Sequence, residues 1–225
     1  MCSDSIARRL EALWASLKEG VQLVAISKYH PKEMIEEAYA AGQRRFGENY
    51  VMEMAEKAAV LPKDIEWHFT GHVQTNKIKF MAPFVHTIQS VDSFHALSEI
   101  NKHALRNGRI INCLLQLHVA QEETKYGLSP DECLNLLRTE PWRELEGLHI
   151  TGLMAMATNT EDEAQIRREF RAVRVFFEQV KEEFFANDTD FSILSEGMTD
   201  DYPIAISEGA NMVRIGSAIF GPRNY

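Results

Sequence analysis

Cysteine is scarce in this 225-residue chain: Cys2, Cys113 and Cys133 are widely spaced, and none forms a CxxC pair. An odd count without metal-ligand spacing excludes a disulfide framework. It fits reduced thiols in a cytoplasm, with Cys113 and Cys133 as core filler. Long apolar runs are missing too. No segment approaches the ~20 residues of a membrane helix, and the start Met1-Cys2-Ser3-Asp4 lacks a basic region followed by an apolar one, so neither a span nor a signal peptide is expected. Positive charge is in deficit, with 24 Lys+Arg against 33 Asp+Glu and a net charge of −9, which opposes a nucleic-acid partner. Arg167, Arg168, Arg171 and Arg174 are interleaved with Glu163, Glu169 and Glu178, as on a salt-laced helix face rather than a basic stripe. Gly/Ser/Pro-rich linkers, low-complexity tracts and a GxGxxG turn are absent as well.

What remains is an ordinary globular balance, 45% hydrophobic and 25% charged, arranged as a regular alternation. Extended apolar stretches occur at 21–28, 44–49, 66–71, 86–91, 109–119, within 145–156, at 191–195 and at 211–219. Helical patterns separate them: one opens at Pro31, one is capped by Asp92 or Ser93, one opens at Ser129-Pro130, and the longest runs over 161–185. Ile6, Leu10, Leu13, Trp14 and Leu17 place an extra amphipathic helix before the first strand. Eight strands alternating with helices predict a single (β/α)8 barrel domain over 1–225, close to the ~250 residues usual for that fold. The alternative, a doubly wound open sheet, lacks its phosphate turn.

Barrels place their chemistry just past the C-terminal ends of the strands. Read that way, the candidates are Lys28, then Glu48-Asn49-Tyr50, His68 with Gly71 and His72, Ser90, Lys125, Met154, the run Ser195 to Thr199, and Arg214 to Ser217. Lys28 ends the apolar run Val21 to Lys28. Desolvation there disfavours the ammonium, and a neutral amine can attack an aldehyde, so Lys28 is a candidate Schiff-base residue. A lysine leaving a strand is more often simply solvated, so the stretch does not decide the matter alone. Ser195, Gly197, Thr199, Gly216 and Ser217 supply the small residues of a phosphate-binding loop pair, although serine and glycine also build ordinary turns. Arg214, between Val213 and Ile215, needs a partner, either a carboxylate or the ring nitrogen of a bound pyridine. His68 and His72 straddle a strand end and a turn, without HExxH, and no metal is expected of them.

Five motifs in order carry a resemblance. Ala25-Ile26-Ser27-Lys28, Phe46-Gly47-Glu48-Asn49-Tyr50-Val51, Trp67-His68-Phe69-Thr70-Gly71 with Gln74-Thr75-Asn76-Lys77, Leu194-Ser195-Glu196-Gly197-Met198-Thr199, and Val213-Arg214-Ile215-Gly216-Ser217 resemble the successive motifs of the pyridoxal phosphate homeostasis protein family, itself similar to the N-terminal barrel of alanine racemase. The resemblance implies a fold-type III barrel holding pyridoxal 5'-phosphate (PLP) as an internal aldimine on Lys28. It implies Ser195, Gly216 and Ser217 around the phosphate, Arg214 at the pyridine nitrogen, and Asn49 and Tyr50 on the cofactor-side wall; Thr199, from the loop reading above, joins them as a cofactor-binding residue. Two places depart from the family pattern: Tyr29-His30 stands for the more usual Thr-Lys, and Glu196 for an apolar residue.

An arginine at the pyridine nitrogen keeps the ring neutral and weakens it as an electron sink. The resemblance further implies that racemases draw an opposite-face tyrosine from dimerisation with an added C-terminal domain, which this chain, ending at Tyr225, does not carry. The expectation is therefore a non-enzymatic, monomeric, cytoplasmic PLP-binding protein that helps control free PLP, with no nucleic-acid or membrane partner. The alternatives are a PLP-dependent amino-acid isomerase and a barrel enzyme for a phosphorylated metabolite.

Overall fold

A computed structural model describes residues 5–121 and 126–222; Cys2 and Lys125 lie outside them. In chain order the elements are α1 (Ile6–Ser16), β1 (Gln22–Ile26), α2 (Lys32–Ala40), β2 (Arg45–Glu48), α3 (Val51–Val60), β3 (Glu66–Phe69), α4 (Ile78–Met81), β4 (Thr87–Val91), α5 (Phe94–Arg106), β5 (Ile111–Leu117), α6 (Pro130–Thr139), β6 (Leu148–Ala155), α7 (Glu163–Phe184), β7 (Ile193–Ser195), α8 (Tyr202–Ser207), β8 (Met212–Ile215) and α9 (Ser217–Phe220). The strands are parallel and close in sequence order, β8 meeting β1 from Gln22↔Met212 to Ala25↔Ile215.

Local chemistry sets the helix starts. Ser5, Ser93 and Asp162 accept backbone N–H bonds as N-caps, and Ser129 with Glu132 forms a reciprocal capping box ahead of Pro130. Alternation along the strands then sorts the residues into two layers. Phe46, Trp67, Ile88, Leu115 and Val213 face outward and pack beneath the helices in the main core. Phe177, Phe185 and Phe191 extend that core beside α7, with ring centroids 5.0 and 4.1 Å apart along the stack. The opposite residues, among them His68, Gln89, Gln116, Ser195 and Arg214, are also buried, so the barrel interior mixes these polar groups with Val24, Met154 and Met212.

Two sequence expectations change. The eighth strand, expected over 211–219, stops at Ile215, because Gly216 leaves the extended region (φ −120°, ψ −73°) and accepts the N–H groups of Ile219 and Phe220 at 2.9 Å. Ala218-Ile219-Phe220 reads as strand by apolarity, but as helix it buries Ile219 and Phe220 in the core. The arginines of α7 also reach beyond their own helix. Arg167 and Arg171 grip Glu208, just past α8, at 2.6 and 2.8 Å, while Glu169 accepts from Thr158; Arg174 pairs with Glu178 along the helix face itself.

Candidate functional site

The exit of β1 is held from beneath. Ser27 is fully buried; its N–H donates to Gly47 O at 2.9 Å and its hydroxyl to Glu48 Oε1 at 2.6 Å. Lys57, on the buried face of α3 in register with Met54 and Ala58, extends its ammonium into the same spot. It donates to Ser27 O at 2.9 Å and to Glu48 Oε1 and Glu53 Oε1 at 2.7 Å each. Glu53 Oε1 also accepts Tyr29 N–H at 2.6 Å, and Tyr29 takes the left-handed conformation at φ 67°. The two residues flanking Lys28 are thus tied to one buried ion network, and Lys28 is left lining the cleft above. Burial pushes the Glu48 carboxyl up to about 7, against the pull of Lys57.

Arg214 occupies the barrel interior below that cleft, 4% exposed. Nη1 donates to Ser195 O at 2.8 Å and Ser195 Oγ at 2.6 Å, and Nη2 to Ala155 O at 2.9 Å. Burial lowers its pKa to about 10, which leaves it protonated at neutral pH. The Ser195 hydroxyl donates in turn to Gln89 Oε1 at 2.7 Å, and Gln89 Nε2 meets His68 Nδ1 at 2.9 Å. A hydrogen-bonded chain therefore crosses the interior from Arg214 to His68.

The cleft at the C-terminal ends of the strands encloses about 200 Å³, below the ~300–1,000 Å³ of drug-sized pockets, and so suits a single-ring ligand. The structure brings Lys28, Asn49, Thr199, Arg214, Gly216 and Ser217 together on its wall, joined by Thr70, Asp200 and the apolar Ile26, Met154, Met156 and Met198. Ser217 Oγ and Thr199 Oγ1 are 3.1 Å apart. Asn49 is fixed by Thr70 Oγ1 at 2.9 Å, and the exit of β3 passes so close that a Cβ on Gly71 would meet Asn49 O at 2.0 Å. Gly197, at φ +86°, turns the β7 loop tightly onto Tyr202 and Ala205.

Other expected residues stand elsewhere. Ser195 is fully buried and its hydroxyl is engaged by Arg214 and Gln89, so it positions the arginine and does not reach the cleft wall. Tyr50 is half exposed, paired with the Tyr29 hydroxyl, and lines a neighbouring depression with His72 and Lys77. His72 stacks on Tyr126 at 3.9 Å, well apart from buried His68 in its role. Glu196 is fully buried, outside the cleft wall, and neither carboxyl oxygen has a hydrogen-bond partner among the described residues. Burial raises its pKa well above the usual carboxylate range, which opposes a negative charge in the loop after β7. Lys57 escaped the sequence reading; its signal was a lysine spaced with the buried face of its helix.

The sequence matches the family described as alanine racemase, N-terminal domain, over residues 1–224. It is 40% identical over 208 residues to a pyridoxal phosphate homeostasis protein of Haemophilus influenzae, covering 91% of this chain and 86% of that one. Two structures of PipY from Synechococcus elongatus, one without and one with PLP bound, superpose with TM-scores of 0.90 and 0.87 at 35% identity, covering 96% of this chain and 100% of theirs. The chain thus belongs to the alanine racemase N-terminal domain family and, within it, to the pyridoxal phosphate homeostasis proteins.

Proposed function

We propose that this protein binds pyridoxal 5'-phosphate in the cleft at the C-terminal ends of the strands and serves to buffer it within the cytoplasm, without catalysing a reaction of its own. The observation that carries this is the donor set of one small cavity: a primary amine, a buried guanidinium and a hydroxyl pair, from Lys28, Arg214, Thr199 and Ser217. These residues fit the group. When bound, PLP supplies an aldehyde with which a primary amine can condense. Lys28 is the amine on the cleft wall. Thr199, Ser217 and the backbone at Gly216 offer donors for a phosphate, and Asn49 flanks the ring space. Arg214, held in place by Ser195 and Ala155, presents a cation that keeps a facing ring nitrogen an acceptor. Tyr50 belongs to the outer rim rather than the wall.

Against catalysis stands the make-up of that wall. Besides Arg214, the ionisable side chains on that wall among the described residues are Lys28 and Asp200, and much of the remaining lining is apolar, from Ile26, Met154, Met156 and Met198. A two-base proton transfer would have to use Asp200 as its second base, and no tyrosine, histidine or cysteine stands among the described residues of the wall. We read the chain as one barrel domain over 1–225 that acts as a monomer. Among the described residues no helix is long and apolar enough to cross a membrane.

Reduction of the PLP-loaded protein with borohydride and peptide mass mapping tests the assignment. A pyridoxyl mass on Lys28, lost in Lys28→Ala, is expected. The same mass on Lys77 or Lys125 instead would overturn it.

A further inference from the structure

The opposite mouth of the barrel, at the N-terminal ends of the strands, holds a second cavity of about 390 Å³ whose wall includes Arg45, Glu66, His68, His86, Thr87 and Asn112. We propose that Glu66, His68 and His86 form a binding site for a divalent transition metal, of the zinc and cobalt class, at this floor of the barrel.

Three observations converge on it. One ligand atom from each of Glu66, His68 and His86 lies within 4.8 Å of the other two, a separation that small side-chain rotations reduce to the spacing of a common metal. His68 is 1% exposed, and its Nε2 has no hydrogen-bond partner among the described residues. An orphaned imidazole nitrogen this deeply buried is costly unless something fills the space beside it. Both imidazoles are also oriented by their other nitrogen: His86 Nδ1 is 2.8 Å from Thr87 Oγ1, and His68 Nδ1 is 2.9 Å from the Gln89 amide. That leaves Nε2 of each ring as the ligating atom. Coordination through His68 Nε2 requires the Gln89 amide to turn, so that its oxygen accepts Nδ1–H and its Nε2 donates to Ser195 Oγ in place of the bond that Gln89 Oε1 accepts from that hydroxyl; an Nδ1–H held this way is the outer-shell arrangement metal-bound histidines adopt.

Two imidazoles and one carboxylate suit zinc or cobalt rather than magnesium or calcium, and the cavity supplies the fourth, open position. Arg45 works against the site. It pairs with Glu66 Oε2 at 2.8 Å, so it withholds one carboxylate oxygen and places a cation nearby, which sets the affinity below that of a closed structural centre. The inference is independent of what the cleft at the other end holds.

Untagged protein, stripped with a chelator, is titrated with Zn²⁺ by calorimetry and with Co²⁺ by visible absorption. One equivalent is expected, with ligand-field bands of a four- or five-coordinate cobalt. His86→Gln is expected to weaken Zn²⁺ binding by about 10–100-fold or more, at least the loss seen when an outer-shell partner is removed. His68→Gln should do the same, and far-ultraviolet circular dichroism reports whether it has folded; His86→Gln decides the question where it has not. The neighbouring group His149, Asp188 and Asp190 is the rival cluster. His149→Gln should leave the affinity within about twofold, as for sites without shared partners. No binding to the wild-type protein, or loss in His149→Gln with none in His86→Gln, overturns the proposal.

Discussion

Lys57 Nζ stands 2.7 Å from Glu48 Oε1 with both side chains buried, and the same ammonium donates to the carbonyl of Ser27, the residue before Lys28. The pair is a foundation for the strand exit above it. Burying two charges gives little net stability, but removing one partner leaves the other uncompensated.

Lys57→Met should therefore destabilise the protein by about 3–5 kcal/mol, measured by urea unfolding. Combining it with Glu48→Gln should recover part of that loss, because no unpaired charge then remains. Strictly additive losses would show that the two groups do not act as a pair.

Stability should depend on pH through Glu48. Its folded pKa is raised from 4.5 to about 7, so within that window the folded protein keeps a proton that the unfolded chain has released. The contribution is fully present below 4.5 and is lost as pH rises through about 7. Urea midpoints between acidic and mildly alkaline pH should fall across this interval in the wild type. Glu48→Gln should flatten the part near neutrality, and an unchanged slope would remove Glu48 as its origin.

Ser217→Asp puts a carboxylate beside Thr199, at the place proposed for the phosphate. PLP binding should weaken by about 10-fold or more, the scale of one lost charge-assisted hydrogen bond, while unphosphorylated pyridoxal changes far less. Equal losses for both ligands would move the phosphate elsewhere.

Incubation of the PLP-loaded protein with L-alanine in deuterated water reads any proton transfer at the α-carbon. Neither deuterium exchange nor D-alanine should accumulate at ordinary turnover, ~1 s⁻¹. Turnover at that rate, abolished in Lys28→Ala, would replace the buffering role with an isomerase.

The barrel was legible in the sequence because its strands and helices obey different hydrophobic periods, and every strand expected from those periods is present. Lys28, Asn49, Thr199, Arg214, Gly216 and Ser217 could be named because strand ends converge in this fold, and they share one cleft. Ser195 could not be separated from that set: whether a serine at a strand end faces the ligand or the interior depends on which neighbour engages its hydroxyl, here Arg214 and Gln89. Lys57 was hidden for a similar reason. Its partners Ser27 and Glu48 come from β1 and β2, and a contact across three elements leaves no local pattern. The helical turn at Ser217–Phe220 was masked by its own apolarity.

A sheet that closes on itself has no outer strand to offer a partner, so no other chain can extend it by backbone pairing. The seam where it closes joins opposite ends of the sequence and sets Val24 against Arg214. Lys28 leaves one side of that seam, and Gly216 and Ser217 leave the other. A small molecule touching all three is a latch across the join, so occupancy of the cleft should slow amide exchange along β1 and β8 more than in strands remote from it.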